Sequence, residues 1–142
     1  MINESVMGKH VLVVDDEPDY AALLRSVLLK AGYTVATAYN GDEAMAEVRK
    51  RKPDVITLDM KMPGKSGVLF YRNLMVDKAY RDVPVIVVTG LTRDDRDMEN
   101  LIRSLLEPEG VPPPQAYLEK PVDEVQLLKT VHEALASATA VN

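Results

Sequence analysis

Five polar residues of this chain stand where apolar runs stop, and their types suit one kind of chemistry. VLVV (11–14) runs into Asp15 and Asp16, VITL (55–58) into Asp59, VPVIVV (83–88) into Thr89, and AYLE (116–119) into Lys120. Three carboxylates brought within a few ångströms repel one another unless a cation neutralises them. All-oxygen ligands suit a hard divalent ion, and Mg2+ typically takes one or two carboxylates together with waters and a phosphate oxygen. A carboxylate beside such an ion can attack a phosphoryl group and form an acyl phosphate. Catalysis of that step is largely positioning and electrostatic stabilisation, for which Lys120 offers a point charge and Thr89 a hydroxyl donor. An ionised Asp needs no general base, and none such as an apical His is evident.

The elements that must bring these residues together follow from the spacing of the runs. Continuous apolar stretches of this length between helical segments read as strands of a parallel sheet covered on both faces. In such sheets ligands bind outside the carboxyl ends of the strands. Glu17, Pro18 and Asp19 open a first helix, with Leu23, Leu24, Val27 and Leu28 as its apolar stripe and Gly32 as its stop. YTVATA (33–38) is a second strand, Asn40–Gly41 a turn, and Asp42 to Arg51 a helix with Ala44, Met45 and Val48 inward. Ser66 is placed to cap a helix over roughly 67–78 with Val68, Tyr71, Leu74 and Met75 inward. Beyond a strand at 84–88, Asp94 or Asp95 opens a helix carrying Met98, Leu101, Ile102 and Leu105 on one face. EPEGVPPPQ (107–115) is a connector unable to continue a helix. The last helix begins near Asp123 with Val125, Leu128, Val131 and Leu135 inward, and SATAVN is a frayed end.

The sum is a five-stranded doubly wound parallel α/β domain. Right-handed crossovers favour strand order 2-1-3-4-5. That order puts the switch point between strands one and three, where Asp15, Asp16 and Asp59 stand.

At 142 residues the chain is read as one domain, with its core over about 9–138. Hydrophobic residues at 46% and charged residues at 27% are ordinary for a globular protein. A net charge of −5 argues against direct nucleic-acid binding and against anionic membranes. The absence of cysteine excludes disulfides, thiolate metal sites and a cysteine nucleophile. MINESVMGKH lacks the apolar core of a signal peptide, and no run approaches a membrane span, so a cytoplasmic location is expected. His10 and His132 have no metal-ligand spacing and are expected to face solvent.

VLVVDDEPD, VITLDMKMPGKSG, VPVIVVTG and YLEKPV, four motifs in order on the expected strand ends, resemble the receiver domains of two-component response regulators. The likeness covers roughly residues 9–138 and implies the flavodoxin-like receiver fold. It makes Asp59 the phosphoacceptor, with Asp15, Asp16, Asp59 and the backbone carbonyl of Lys61 holding Mg2+ (or Mn2+). Thr89 matches the hydroxyl that follows the phosphoryl oxygen, Lys120 the lysine that pairs with it, and Gly90 a small-residue position beside it. Tyr117 matches an aromatic that rotates inward with the threonine, although a half-buried strand aromatic is an equally good reading. Pro121 matches a proline often preceded by a cis peptide bond. A sensor histidine kinase or phosphotransfer protein would be the donor, an unidentified downstream protein the reader, and a homodimer a possible phosphorylated form. The stretch from Thr89 to Lys120 is longer than in compact chemotaxis-type receivers. Lys61 and Leu91, two beyond the acceptor and the threonine, would hinder attacking water and slow dephosphorylation.

Two other functions compete. A Mg2+-dependent phosphohydrolase with an aspartyl nucleophile would need a second acid two residues after Asp59, where Lys61 stands, and a cap domain. A binding module that has lost phosphorylation would not be expected to keep the acceptor, acid pair, hydroxyl and lysine together. With nothing long enough for an output domain after residue 138, the chain is expected to be a stand-alone regulator or a receiver excised from a longer one.

Overall fold

The computed structural model describes residues 8–60, 66–90, 100, 104 and 110–140. Five strands, β1 (His10–Val14), β2 (Thr34–Ala38), β3 (Val55–Leu58), β4 (Val85–Thr89) and β5 (Ala116–Glu119), pair in parallel in the order β2-β1-β3-β4-β5. This is the expected order. The register aligns the strand ends: Val14 lies between Ala38 and Leu58, Leu58 lies opposite Val87, and Thr89 opposite Glu119.

Four helices are described, α1 (Pro18–Lys30), α2 (Gly41–Lys50), α3 (Ser66–Val76) and α4 (Glu124–Ala140). Strand side chains alternate between the two faces, so the sheet feeds two cores. Leu12, Leu58 and Val87 pack with Val48, Phe70 and Leu74 on the α2 and α3 side. Val11, Val13, Ile86 and Val88 pack with Leu24, Leu28, Leu127 and Val131 on the α1 and α4 side. The three central strands β1, β3 and β4 are buried throughout, as strands covered on both faces must be.

Local signals explain the helix starts. Pro18 stands in the first turn of α1 with Asp19 beside the positive end of the dipole. Asn40 caps α2, its side-chain oxygen accepting from the Glu43 amide at 2.8 Å, and Glu43 accepts in return from the Tyr39 amide at 2.9 Å. Asp123 does the same for α4, accepting from the Gln126 amide at 3.0 Å.

Several expectations are corrected. The buried row of α1 is Ala21, Leu24, Val27 and Leu28, and Leu23 is half exposed. On α4 the buried row is Leu127, Val131 and Ala134, with Leu128 and Leu135 partly buried beside it, while Val125 is 74% exposed. In both helices a small alanine occupies an inward position that its hydrophobicity does not announce, and a larger aliphatic residue lies off the row. His10 does not face solvent. It begins the central strand β1, is buried, and its Nδ1 lies 2.8 Å from the Thr34 hydroxyl. His132 is exposed as expected. The helix α4 runs on to Ala140, through most of the segment expected to fray. Asn40 is a helix cap rather than part of a free turn.

The expected helix after β4 falls mostly outside the described residues, including Met98, Leu101, Ile102 and Leu105; its described members Asn100 and Ser104 are helical and exposed. Of the connector, residues 110–115 are described. Gly110 has a left-handed φ of +70°, Val111 is buried, and the Tyr71 hydroxyl donates to the Pro112 carbonyl at 2.6 Å.

Candidate functional site

Two backbone hydrogen bonds carry the parallel ladder one residue past the strand ends. The Asp15 amide donates to the Ala38 carbonyl at 3.0 Å, and the Asp59 amide to the Val14 carbonyl at 2.9 Å. The two carboxylates therefore stand on neighbouring central strands at the same sheet edge, 1% and 4% exposed. On the far side the Lys120 amide donates to the Thr89 carbonyl at 2.9 Å, which brings the end of β5 to the end of β4. The Lys120–Pro121 peptide is cis, as the resemblance implied.

The Lys120 side chain then crosses back to the acids. Its ammonium is 2.7 Å from Asp15 Oδ2, 3.3 Å from Asp59 Oδ2 and 3.3 Å from Glu17 Oε1. Asp15 uses its other oxygen to accept from the Glu17 amide at 2.9 Å. Burial pushes the Asp15 carboxyl above the usual range, against the pull of its hydrogen bonds from Lys120 and from the Glu17 amide. Burial works to lower the ammonium of Lys120, but the hydrogen bond to Asp15 and the charges of Asp59 and Asp15 outweigh it and hold it above its ordinary value.

Asp15, Asp16, Glu17 and Asp59 each offer a carboxylate oxygen, and these atoms lie within 4.8 Å of one another. Among the described residues, four carboxylates against the Lys120 ammonium leave a negative excess, with Asp15 and Asp59 buried and Asp16 and Glu17 nearer solvent. An all-oxygen, anion-rich donor set of this kind fits a hard divalent cation. Lys61, whose carbonyl was expected to join it, lies outside the described residues, as does Leu91.

Thr89 and Tyr117 share a face of the sheet. Thr89 lies on the same face of β4 as Val85 and Val87, and Tyr117, the register partner of Val87, packs partly buried against the same core. Thr89 is buried, and its hydroxyl has no hydrogen-bond partner among the described residues. A buried hydroxyl left unpaired carries a desolvation cost of ~1–3 kcal/mol. Gly90 lies beside Lys120: a Cβ there would meet Lys120 Cδ at 3.7 Å, ordinary contact, so the position has room for a small side chain. Gly67 has no such room. A Cβ on it would fall 2.6 Å from the Asp59 carbonyl oxygen and 2.8 Å from Met60 Cα, so glycine lets the start of α3 seat against the backbone that carries Asp59.

The sequence profile of the response regulator receiver domain matches residues 11–132. The chain belongs to this family. It is 38% identical to Protein PilH of Pseudomonas aeruginosa over 126 residues, covering 89% of this chain and 97% of that protein. It is 36% identical to the phosphate regulon transcriptional regulatory protein PhoB of the same organism, over 68% of this chain but 42% of that longer protein. The solved chemotaxis protein CheY4 of Vibrio cholerae superposes with a TM-score of 0.74 at 30% identity, over 89% of this chain and 98% of that one. Membership carries phosphorylation-dependent signalling as the general function, and a receiver's acidic pocket is the place where such domains bind Mg2+.

The receiver motif residues Asp15, Asp16, Asp59, Thr89 and Lys120 stand together at one sheet edge. Two neighbours escaped the sequence reading. Glu17 follows the acid pair directly, and that adjacency was a usable signal. Tyr20, one helical turn further, has its ring 4.4 Å from the Lys120 ammonium and its hydroxyl oxygen 2.9 Å from the Val122 amide. Nothing local in the sequence announces a contact made across a hundred residues.

Proposed function

We propose that this receiver is a phosphorylation-controlled switch whose acceptor is Asp59, charged by the phosphohistidine of a sensor kinase or phosphotransfer protein in a Mg2+-dependent reaction. The observation that carries the reading is the ion-pair cluster at the sheet edge, in which the Lys120 ammonium bridges the buried carboxylates of Asp15 and Asp59. Asp15, Asp16 and Asp59 would hold the metal, which when bound supplies charge neutralisation for the incoming phosphoryl oxygens. Asp59 is the nucleophile: its carboxylate oxygen forms the bond to phosphorus as the bond to the donor nitrogen breaks. Lys120 would exchange one carboxylate partner for a phosphoryl oxygen.

The unpartnered Thr89 hydroxyl supports the second half of the reading. A new acceptor oxygen at Asp59 would give that hydroxyl the partner it lacks, drawing the end of β4 toward the site. Tyr117, on the same face of the neighbouring strand, would follow into the space vacated, changing the surface that a downstream protein reads.

Intact mass after incubation with acetyl phosphate and Mg2+ tests this. One phosphoryl adduct is expected, dependent on Mg2+ and absent from Asp59→Asn. A folded wild-type protein that gains no adduct would sink the reading in favour of a phosphorylation-independent binding module.

A further inference from the structure

We infer that Tyr20 is a positioning residue for Lys120, an inference that rests on Lys120 serving the phosphoryl group as proposed above. Tyr20 lies on α1, one turn after the acid pair, and touches the β5 end of the site at two points. Its ring faces the Lys120 ammonium at 4.4 Å to the centroid, inside the range of a cation–π contact. Its phenol oxygen accepts a hydrogen bond of 2.9 Å from the amide of Val122, two residues further along the chain. The lysine is thus gripped from both ends, its charged tip by the ring and the backbone after it by the hydroxyl.

The ring does something the carboxylates around it do not. Asp15, Asp59 and Glu17 each attract the ammonium, and Glu17 is 66% exposed and draws it toward solvent. A flexible four-carbon chain among three anions has several places to settle, and only those near Asp59 serve a phosphoryl group. An aromatic face attracts the cation without competing as a hydrogen-bond acceptor. It narrows the range of the ammonium while leaving its three N–H donors for oxygen. The Lys120 side chain is 10% exposed, and partial desolvation strengthens the contact. When Asp59 changes from carboxylate to acyl phosphate, the attraction of the ring for Lys120 is unaltered.

The test measures the rate of adduct formation with acetyl phosphate and Mg2+ in the wild type, Tyr20→Phe and Tyr20→Leu, each alone and with Lys120→Ala. Tyr20→Phe keeps the ring and is expected to stay within about two-fold of the wild-type rate. Tyr20→Leu removes it and is expected to be about three- to ten-fold slower. In the Lys120→Ala background the same leucine substitution should add nothing, because the partner through which it acts is gone. A graded series of ring-fluorinated phenylalanines at position 20 keeps the shape while weakening the face, so the rate should fall step by step with fluorination even where the leucine variant fails to fold. Equal rates across the fluorinated series, or a leucine effect that persists without Lys120, would overturn the proposal while the wild-type adduct left the acceptor reading standing. No adduct on the wild type would remove both, since Asp59 would then have no reaction for Lys120 to serve.

Discussion

At the scale of single residues, two buried hydroxyls have no hydrogen-bond partner among the described residues, and they differ in kind. Thr89 stands at the site edge, where phosphorylation would supply an acceptor. Thr57 stands mid-strand between Val13 and Ile86, on the face shared with Val55, where the packing is apolar. Its hydroxyl has a cost and no prospect of a partner. Thr57→Val, nearly the same in shape, is therefore expected to stabilise the domain by ~1 kcal/mol, read as a higher urea midpoint with unchanged slope. His10 gives a second residue-scale prediction. Burial lowers its affinity for a proton, Arg51 adds to the effect, and Asp54 and Glu47 oppose it without reversing it. Below its ordinary pKa of about 6.5 the unfolded chain then binds more protons than the folded one, so stability is full above that pH and falls as the pH drops through it. Urea midpoints at pH 7.5 and 5.5 should differ in that sense, and the difference should shrink in His10→Gln. The raised Asp15 acts with the opposite sign, gaining stability as the pH falls, which is why the comparison is made against the His10 variant.

At the scale of elements, the site depends on how closely helices approach the strand ends. The start of α3 rests on the Asp59–Met60 backbone through Gly67, where a Cβ has no space. Gly67→Ala must push α3 away from β3 or displace the backbone that carries Asp59. Overpacking of this kind costs ~1–3 kcal/mol. A lower urea midpoint and slower adduct formation are both expected, whereas Gly90→Ala, with ordinary contact to Lys120, should leave stability within ~0.5 kcal/mol of wild type. A Gly67→Ala protein as stable as the wild type would show that α3 yields freely. The connector is also tied down at element scale: the Tyr71 hydroxyl on α3 holds the Pro112 carbonyl, and burial keeps that phenol protonated well past its usual range, with Tyr117 adding to the effect. The proline-rich stretch before β5 is anchored at this point to α3.

For the molecule as a whole, the order β2-β1-β3-β4-β5 sets a gradient of protection. β1, β3 and β4 are buried at every position and flanked on both sides, while β2 and β5 are edge strands with mostly partial burial. Amide exchange should be slowest in the three central strands and faster in β2 and β5, since opening an edge exposes fewer apolar contacts. Exchange in β5 as slow as in β3 would contradict this. The gradient has a functional side. Asp15 and Asp59 follow the central strands, whereas Lys120 and Tyr117 belong to the edge strand, which would be the part of the sheet best able to change position under the proposed phosphorylation.

The parallel order, and the candidate site residues that the sheet brings to one edge, were legible in the sequence because both are written in short segments. Apolar runs of strand length, each ending in a polar residue, can be read without knowing what packs on them, and Asp15, Asp59, Thr89 and Lys120 all stand one residue beyond such runs or at their ends. Burial of particular helix positions was less legible. Leu23 and Val125 are apolar yet exposed, Ala21 and Ala134 are small yet buried, and His10 is polar yet enclosed. Those outcomes depend on the angle at which a helix lies on the sheet and on what covers a strand's first residue. The partners of Lys120 were decided in the same way. Glu17 and Tyr20 reach it only because α1 packs beside β5's exit, and an ion pair or ring contact between residues a hundred apart exists only once the sheet has brought both ends of the chain to one edge.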